Sequence, residues 1–238
     1  MKKLSIFIIV SILVISCGIF KKKSTDRDDI EFMNYLKFRG IDPDTVKVFS
    51  RYYRDSYNYE REQERQALLK NPYLRINEVY VSYGTIGATF YIYSDNGRVY
   101  SGRVQITDPT QAEVINNKKV VLKQPVIATF FKSFDLIENK LYTNSWEKKT
   151  PWSKEQKWIW IHTAKKDTLY FIESYKAKNE FSSIKKQFLA KRKKLNDYLI
   201  YQPKLKVEKA KKTYQDGNQT NVFIITGEFD LDKPWDSP

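Results

Sequence analysis

Cysteine and histidine are nearly absent from this chain, with one of each in 238 residues. A lone cysteine excludes any internal disulfide and any metal site built on two thiolates. A lone histidine excludes multi-histidine metal centres and leaves a single imidazole for acid–base work. Glycine numbers only eight, and none falls in a phosphate-cradling loop or in a G-x-S-x-G nucleophile motif. Long low-complexity tracts and internal repeats are missing as well. Acid is the scarcer charge, with 28 acidic residues against 42 basic ones and a net charge of +14. That excess would suit a nucleic-acid partner, were it not for the first twenty residues.

Those residues begin with a short positive stretch, Met1-Lys2-Lys3, followed by an uninterrupted apolar-rich run over residues 4–15. The run has the length of a signal-peptide core and is short for a membrane span. It ends in Val14-Ile15-Ser16-Cys17, which resembles the lipobox of bacterial lipoproteins: an aliphatic residue three before the cysteine, a small residue before it, then the cysteine. The resemblance covers residues 1–17 and implies cleavage before Cys17, diacylglycerol on its sulfur and a further acyl chain, such as palmitate, on its amine. Two or three chains, at roughly 0.8 kcal/mol per buried methylene, hold a protein permanently on a bilayer. It also implies an extracytoplasmic, cell-envelope location where nucleic acid is not the expected partner. No aspartate follows Cys17, so in a Gram-negative host the outer membrane is expected. The alternative is an uncleaved anchor over residues 4–20, which only reaches the lower limit for spanning. Residues 1–16 are thus a signal peptide, 17–29 a lipidated tether and 30–238 a single domain.

The 41% hydrophobic and 15% aromatic content of the whole sequence supports a folded core. Asp28 or Asp29 can cap a helix through Phe38, with Gly40 as its stop. Asp42-Pro43 reads as a second N-terminus for a polar helix reaching Leu69. From Ile76 the pattern alternates. Residues 79–83 and 88–93 read as strands, and Asn96-Gly97 is the strongest hairpin signal; as a two-residue turn it would place Tyr93 opposite Tyr100. Asp108-Pro109-Thr110 reads as a helical turn ending near Asn116-Asn117, and residues 120–131 as a strand interrupted at Pro125. Leu136 and Leu141 flank a second hairpin. Residues 157–163 and 168–175 form a third; with residues 164–167 as its turn, Trp160 faces Phe171. Residues 181–199 carry Phe181, Ile184, Phe188, Leu195 and Tyr198 on one stripe and read as a long basic helix. The fold class is therefore α+β: a mostly antiparallel sheet of about seven to nine strands, N-terminal helices and a basic amphipathic helix near the C-terminus.

No constellation carries an evident catalytic chemistry. His162 reads as a strand histidine beside Trp160, satisfied by a neighbour or water. Glu60, Glu62 and Glu64 lie among arginines as a solvated helix face, and Asp230, Asp232 and Asp236 lack the glycine and glutamate of a calcium loop. No metal or cofactor is called for. Trp146, Trp152, Trp158 and Trp160 cluster within fifteen residues. Charged neighbours mark Trp146 and Trp152 as a stacking platform for a ligand, whereas Trp158 and Trp160 read as packed core and rim. Residues 178–213 carry twelve basic side chains against three acidic ones. Lys185, Lys186, Arg192 and Lys193 lie off the apolar stripe and form an electrostatic surface for anionic lipid or an envelope polymer. These features point to a membrane-anchored, non-enzymatic binding or accessory protein whose partner is a glycan, a lipid or another envelope protein. The competing readings are an anchored hydrolase and a barrel or cup that carries a small apolar ligand.

Overall fold

The computed structural model describes residues 29–147, 156–176 and 198–231. The chain divides into two compact units, Met1–Gln63 and Glu64–Pro238. In the first unit, helix α1 (Ile30–Phe38) opens with the cap expected from the sequence: the Asp29 carboxylate accepts the Phe32 N–H at 3.0 Å. Gly40, at φ 70°, follows its end. Asp42-Pro43 starts only a 3₁₀ turn over Pro43–Thr45, and helix α2 begins later, running over Tyr53–Lys70. Phe32, Tyr35 and Leu36 are buried. The ring of Phe49 edges against Phe32 at 5.9 Å, that of Tyr53 does so at 5.4 Å, and Tyr59 lies 5.5 Å from Tyr35. Tyr53 and Tyr59 thus pack their rings on α1.

The second unit is built from β1 (Val79–Tyr83), β2 (Gly87–Tyr93), β3 (Arg98–Gln105), β4 (Ala112–Ile115), β5 (Lys119–Leu122), β6 (Val126–Ile137), β7 (Lys140–Glu147), β8 (Gln156–Lys165), β9 (Thr168–Lys176), β10 (Tyr198–Tyr201), β11 (Leu205–Thr213) and β12 (Gln219–Asp230). Eight of them close into an antiparallel barrel in the order β3-β2-β1-β10-β9-β8-β7-β6, with β6 returning to β3. The order is that of the chain, an up-and-down meander in which β4–β5 is an excursion between β3 and β6. Closure leaves no open edge on those strands, and a barrel of eight has just enough interior to be filled by side chains or to hold one small ligand.

Alternation along each strand builds both faces. Tyr80, Tyr93, Val99, Phe134, Leu141, Ala164, Leu169 and Leu199, one from each barrel strand, are all buried and pack together as an interior layer. Leu68, Leu74 and Ile76 join this cluster and plug the end of the barrel beneath it. The plug is held by polar contacts. The Asn71 side-chain carbonyl accepts the N–H groups of Tyr73 and Leu74. The Tyr80 hydroxyl accepts the Arg75 N–H at 2.9 Å and donates to the Lys166 carbonyl. Arg75 also reaches Asp167 at 2.6 Å and covers the Tyr201 ring. This end is closed.

On the opposite face of the same wall, Val79, Val81, Phe90, Ile92, Tyr100 and Val104 pack against Val120, Phe223, Ile225 and Phe229. The β11–β12 hairpin and the β4–β5 hairpin therefore cover the outside of β1–β3. The long strand β12 pairs with β11, β6 and β5 in turn. Gly227, at φ 109°, sits where it changes partner; a Cβ there would lie 2.5 Å from the Lys204 carbonyl oxygen, so a residue with a side chain would strain the bend. Among the described residues strand β11 pairs only with β12, and its run of lysines guards an edge.

Several sequence expectations shift in register. The first hairpin pairs Tyr93 with Val99, not with Tyr100. Its loop is Asp95-Asn96-Gly97, with Gly97 at φ 73°, one residue longer than the two-residue turn expected from Asn-Gly. The slip sends Tyr93 inward and Tyr100 outward. The second hairpin forms where expected, with Glu138-Asn139 as its turn and Leu136 paired with Leu141. In the third, the turn is Lys166-Asp167 and a bulge follows Ile161, so Trp160 pairs with Ser174 and His162 with Phe171. The turn after Asp108-Pro109 leads into strand β4 instead of a helix. The described residues hold twelve strands, more than expected, because the lysine-rich β11 and the short β4 and β10 lack a clear alternating signal. Residues 181–197 of the expected basic helix lie outside the described residues, and its last positions, Tyr198 and Leu199, belong to strand β10.

Candidate functional site

Above the closed apolar layer the barrel interior turns polar. Strand β8 presents Trp158, Trp160 and His162 on one face, and the register sets Trp160 across from Thr143 of β7 and His162 across from Leu141 of the interior layer. These three β8 residues therefore point inward. Two bulges shape the neighbouring walls. On β6, Phe131 has no partner between the Val99–Lys132 and Tyr100–Phe130 pairs. On β9, Ile172 is the extra residue between Phe171 and Glu173. Bulges re-aim side chains, and here Phe131 and Lys132 both turn toward the interior. The Phe131 ring lies 6.3 Å from that of Tyr91, and the Lys132 ammonium lies 4.9 Å from the Phe131 centroid and 5.8 Å from that of Trp160. Phe171 completes the wall, 5.4 Å from Trp160 and 5.6 Å from His162.

Within this enclosure Thr143 is 0% exposed and His162 7%. The Thr143 Oγ1, Trp160 Nε1 and His162 Nδ1 atoms are all buried without a hydrogen-bond partner. A buried polar atom left unmatched costs about 1–3 kcal/mol, and such atoms are few in native proteins. Three of them on adjacent inward positions of two paired strands mark a place where something else supplies the partners. Burial, and to a lesser degree the positive charge of Lys132, pushes the His162 pKa down to about 3. The imidazole is neutral at any ordinary pH. Farther along the walls, the inward positions Phe131 and Ile127 are 47% and 48% exposed. The interior thus grades from a filled apolar floor, through a polar belt, to a partly exposed mixed rim in which Thr129 and Ser101 face inward beside Phe131 and Ile127.

Of the residues singled out from sequence, Trp158 and Trp160 lie in this site, half-buried on the inner face. His162 is the strand histidine expected beside Trp160, and its Nδ1 meets no partner within the protein. Trp146 lies on β7, paired with Lys157. Cys17, Trp152, Lys185, Lys186, Arg192 and Lys193 lie outside the described residues. Thr143, Lys132, Phe131 and Phe171 were not singled out. The one legible signal was Trp158-x-Trp160-x-His162, whose period of two puts all three on one face of a strand.

Among the described residues no three His, Cys, Asp or Glu side chains converge as a metal site would require. Among the ion pairs, the most enclosed carboxylate is Asp95, which receives Lys209 at 3.0 Å and Arg65 at 3.4 Å. Burial alone would raise its pKa, but hydrogen bonds from Lys209, Ser94 and Arg65 outweigh that and hold it below the usual range. This cluster ties α2 and β11 to the first barrel turn and is a structural clamp. Comparison with protein families, with curated proteins and with solved structures finds no match.

Proposed function

We propose that this chain is a cell-envelope lipoprotein, held to the bilayer through acylated Cys17, whose barrel binds a small molecule without transforming it. The single observation behind this reading is the set of unmatched atoms, Thr143 Oγ1, Trp160 Nε1 and His162 Nδ1, enclosed by aromatic side chains within a closed barrel. Sites for small ligands have this make-up: an apolar enclosure and a few convergent polar groups. A hydrolytic role is disfavoured by the state of the imidazole. A general base works best with a pKa near the operating pH, and His162 sits near 3. Trp146, Trp152 and the basic set Lys185, Lys186, Arg192 and Lys193 serve, in this reading, to contact the envelope partner and the anionic surface near the anchor.

The test is native mass spectrometry of the acylated chain after incubation with a small-molecule extract of the envelope. One non-covalent adduct per chain is expected. A Thr143→Val variant, which removes one unmatched hydroxyl at nearly the same volume, should weaken it while keeping its fold. Adduct-free protein under these conditions would remove the carrier reading.

A further inference from the structure

The first unit carries a hollow of its own, and its meaning rests on the acylated anchor in the reading above. Between α1 and α2 the chain makes two 3₁₀ turns, Pro43–Thr45 and Phe49–Arg51. Residues in and beside these turns line an open hollow of about 260 Å³, among them Ile41, Val46, Val48 and Tyr52 together with Lys47 and Arg51. Both cations are exposed, and among the described residues neither has a carboxylate partner. The Asp42 carboxylate accepts the Asp44 N–H at 3.0 Å, and neither aspartate lines the hollow. A planar guanidinium and a compact ammonium in one lining suit the oxygens of a phosphate. The apolar part of the lining, with Val48 half exposed, suits a phosphate that arrives with acyl chains attached. The volume is smaller than that of sites enclosing a whole drug-sized molecule, so it fits a headgroup whose chains stay in the bilayer. Chain length agrees. The stretch between Cys17 and Asp29 spans at most about 40 Å when fully extended, which keeps this unit within reach of the headgroups.

We propose that the hollow seats the headgroup of an anionic phospholipid, its phosphate meeting Arg51 and Lys47 and Val48 facing the bilayer. A choline headgroup would bring a further cation to two that are already unpaired. Two cations hold a soluble chain only weakly; the anchor supplies the local lipid concentration at which the contact forms.

The experiment uses the acylated full chain reconstituted into vesicles of phosphatidylcholine, alone or mixed with an equal part of phosphatidylglycerol. Flotation reads the anchor, and hydrogen exchange followed by mass spectrometry reads the hollow. The chain should float with both kinds of vesicle. Amides of residues 45–52 should exchange several-fold more slowly with phosphatidylglycerol present, and less so as salt rises. Lys47→Gln with Arg51→Gln should remove that protection at unchanged flotation and thermal midpoint. Lys47→Arg with Arg51→Lys, which keeps both charges, should retain most of it. Inorganic phosphate added to phosphatidylcholine vesicles should give none. Equal exchange in the two vesicles, or protection that survives the glutamine variant, would overturn the headgroup assignment and leave the anchor standing. Protection by inorganic phosphate alone would reassign the hollow to a free ion and overturn the lipid source. A chain that fails to float with phosphatidylcholine lacks the anchor, and this inference would fall with it.

Discussion

Replacing His162 by glutamine should flatten the acid side of the stability profile, and the size of the effect follows from the burial of the ring. In the unfolded chain the imidazole titrates near about 6.5; in the folded chain burial and Lys132 hold it at about 3. Above roughly pH 6.5 both states leave it neutral and it adds nothing to the pH dependence. As pH falls below that value, the unfolded chain takes up a proton that the folded chain refuses. Stability then drops by about 1.4 kcal/mol per pH unit until the folded group itself titrates. Between pH 7 and pH 5 this amounts to about 2 kcal/mol. Carboxylates that titrate in the same range are common to both proteins and cancel. The assay is urea unfolding of wild type and His162→Gln at both pH values. The quantity compared is the change within each protein, so any fixed cost of glutamine also cancels. Wild type should lose about 2 kcal/mol more than the variant. Equal losses would refute the picture of a neutral imidazole enclosed in the polar belt.

Three further outcomes follow from other parts of the molecule. Tyr80→Phe removes the hydroxyl that joins Arg75 to Lys166 at the plugged end and should lower stability by about 1–3 kcal/mol, measured as a shift of the urea midpoint. Gly227→Ala forces a side chain into a backbone with φ 109° and to within 2.5 Å of the Lys204 carbonyl oxygen; the backbone strain should cost about 1–3 kcal/mol, visible as a lower thermal midpoint. A soluble form starting after Cys17 should bind vesicles containing anionic phospholipid, more weakly as salt rises. Lys185→Glu, Lys186→Glu, Arg192→Glu and Lys193→Glu together should abolish that binding with the fold intact, and wild-type binding by this variant would return the segment to an ordinary solvated surface.

Local signals of the fold were legible where a few residues decide the outcome. Asp29 caps α1 because its carboxylate needs only the N–H three residues on, and Leu136–Leu141 pair because a two-residue turn fixes them. The errors arose where one extra residue changes everything downstream. Gly97 in the left-handed region lengthens the first loop and reverses the faces of Tyr93 and Tyr100 relative to each other. The bulge after Ile161 moves Phe171 from Trp160 to His162. That bulge has no composition of its own.

The barrel as a whole was less legible, since its closure depends on pairings between distant segments: Tyr80 with Tyr201, and Ser101 with Thr129. Strand β11 escaped notice because Lys206, Lys209, Lys211 and Lys212 satisfy an exposed edge better than they satisfy an alternating pattern. The polar belt shared that limit. Trp158, Trp160 and His162 are visible as one face of a strand, but Thr143 and Lys132 join them only through the register of β7 and the bulge on β6. The residues marked from sequence as a platform were chosen for charged neighbours, a criterion for exposure that cannot detect an interior.

The most direct test of a ligand-holding barrel is a crystal structure of the acylated chain purified from its native envelope. The account predicts one bound small molecule with polar atoms roughly 3 Å from Trp160 Nε1 and Thr143 Oγ1. An interior in which ordered water alone meets Thr143, Trp160 and His162 would contradict it.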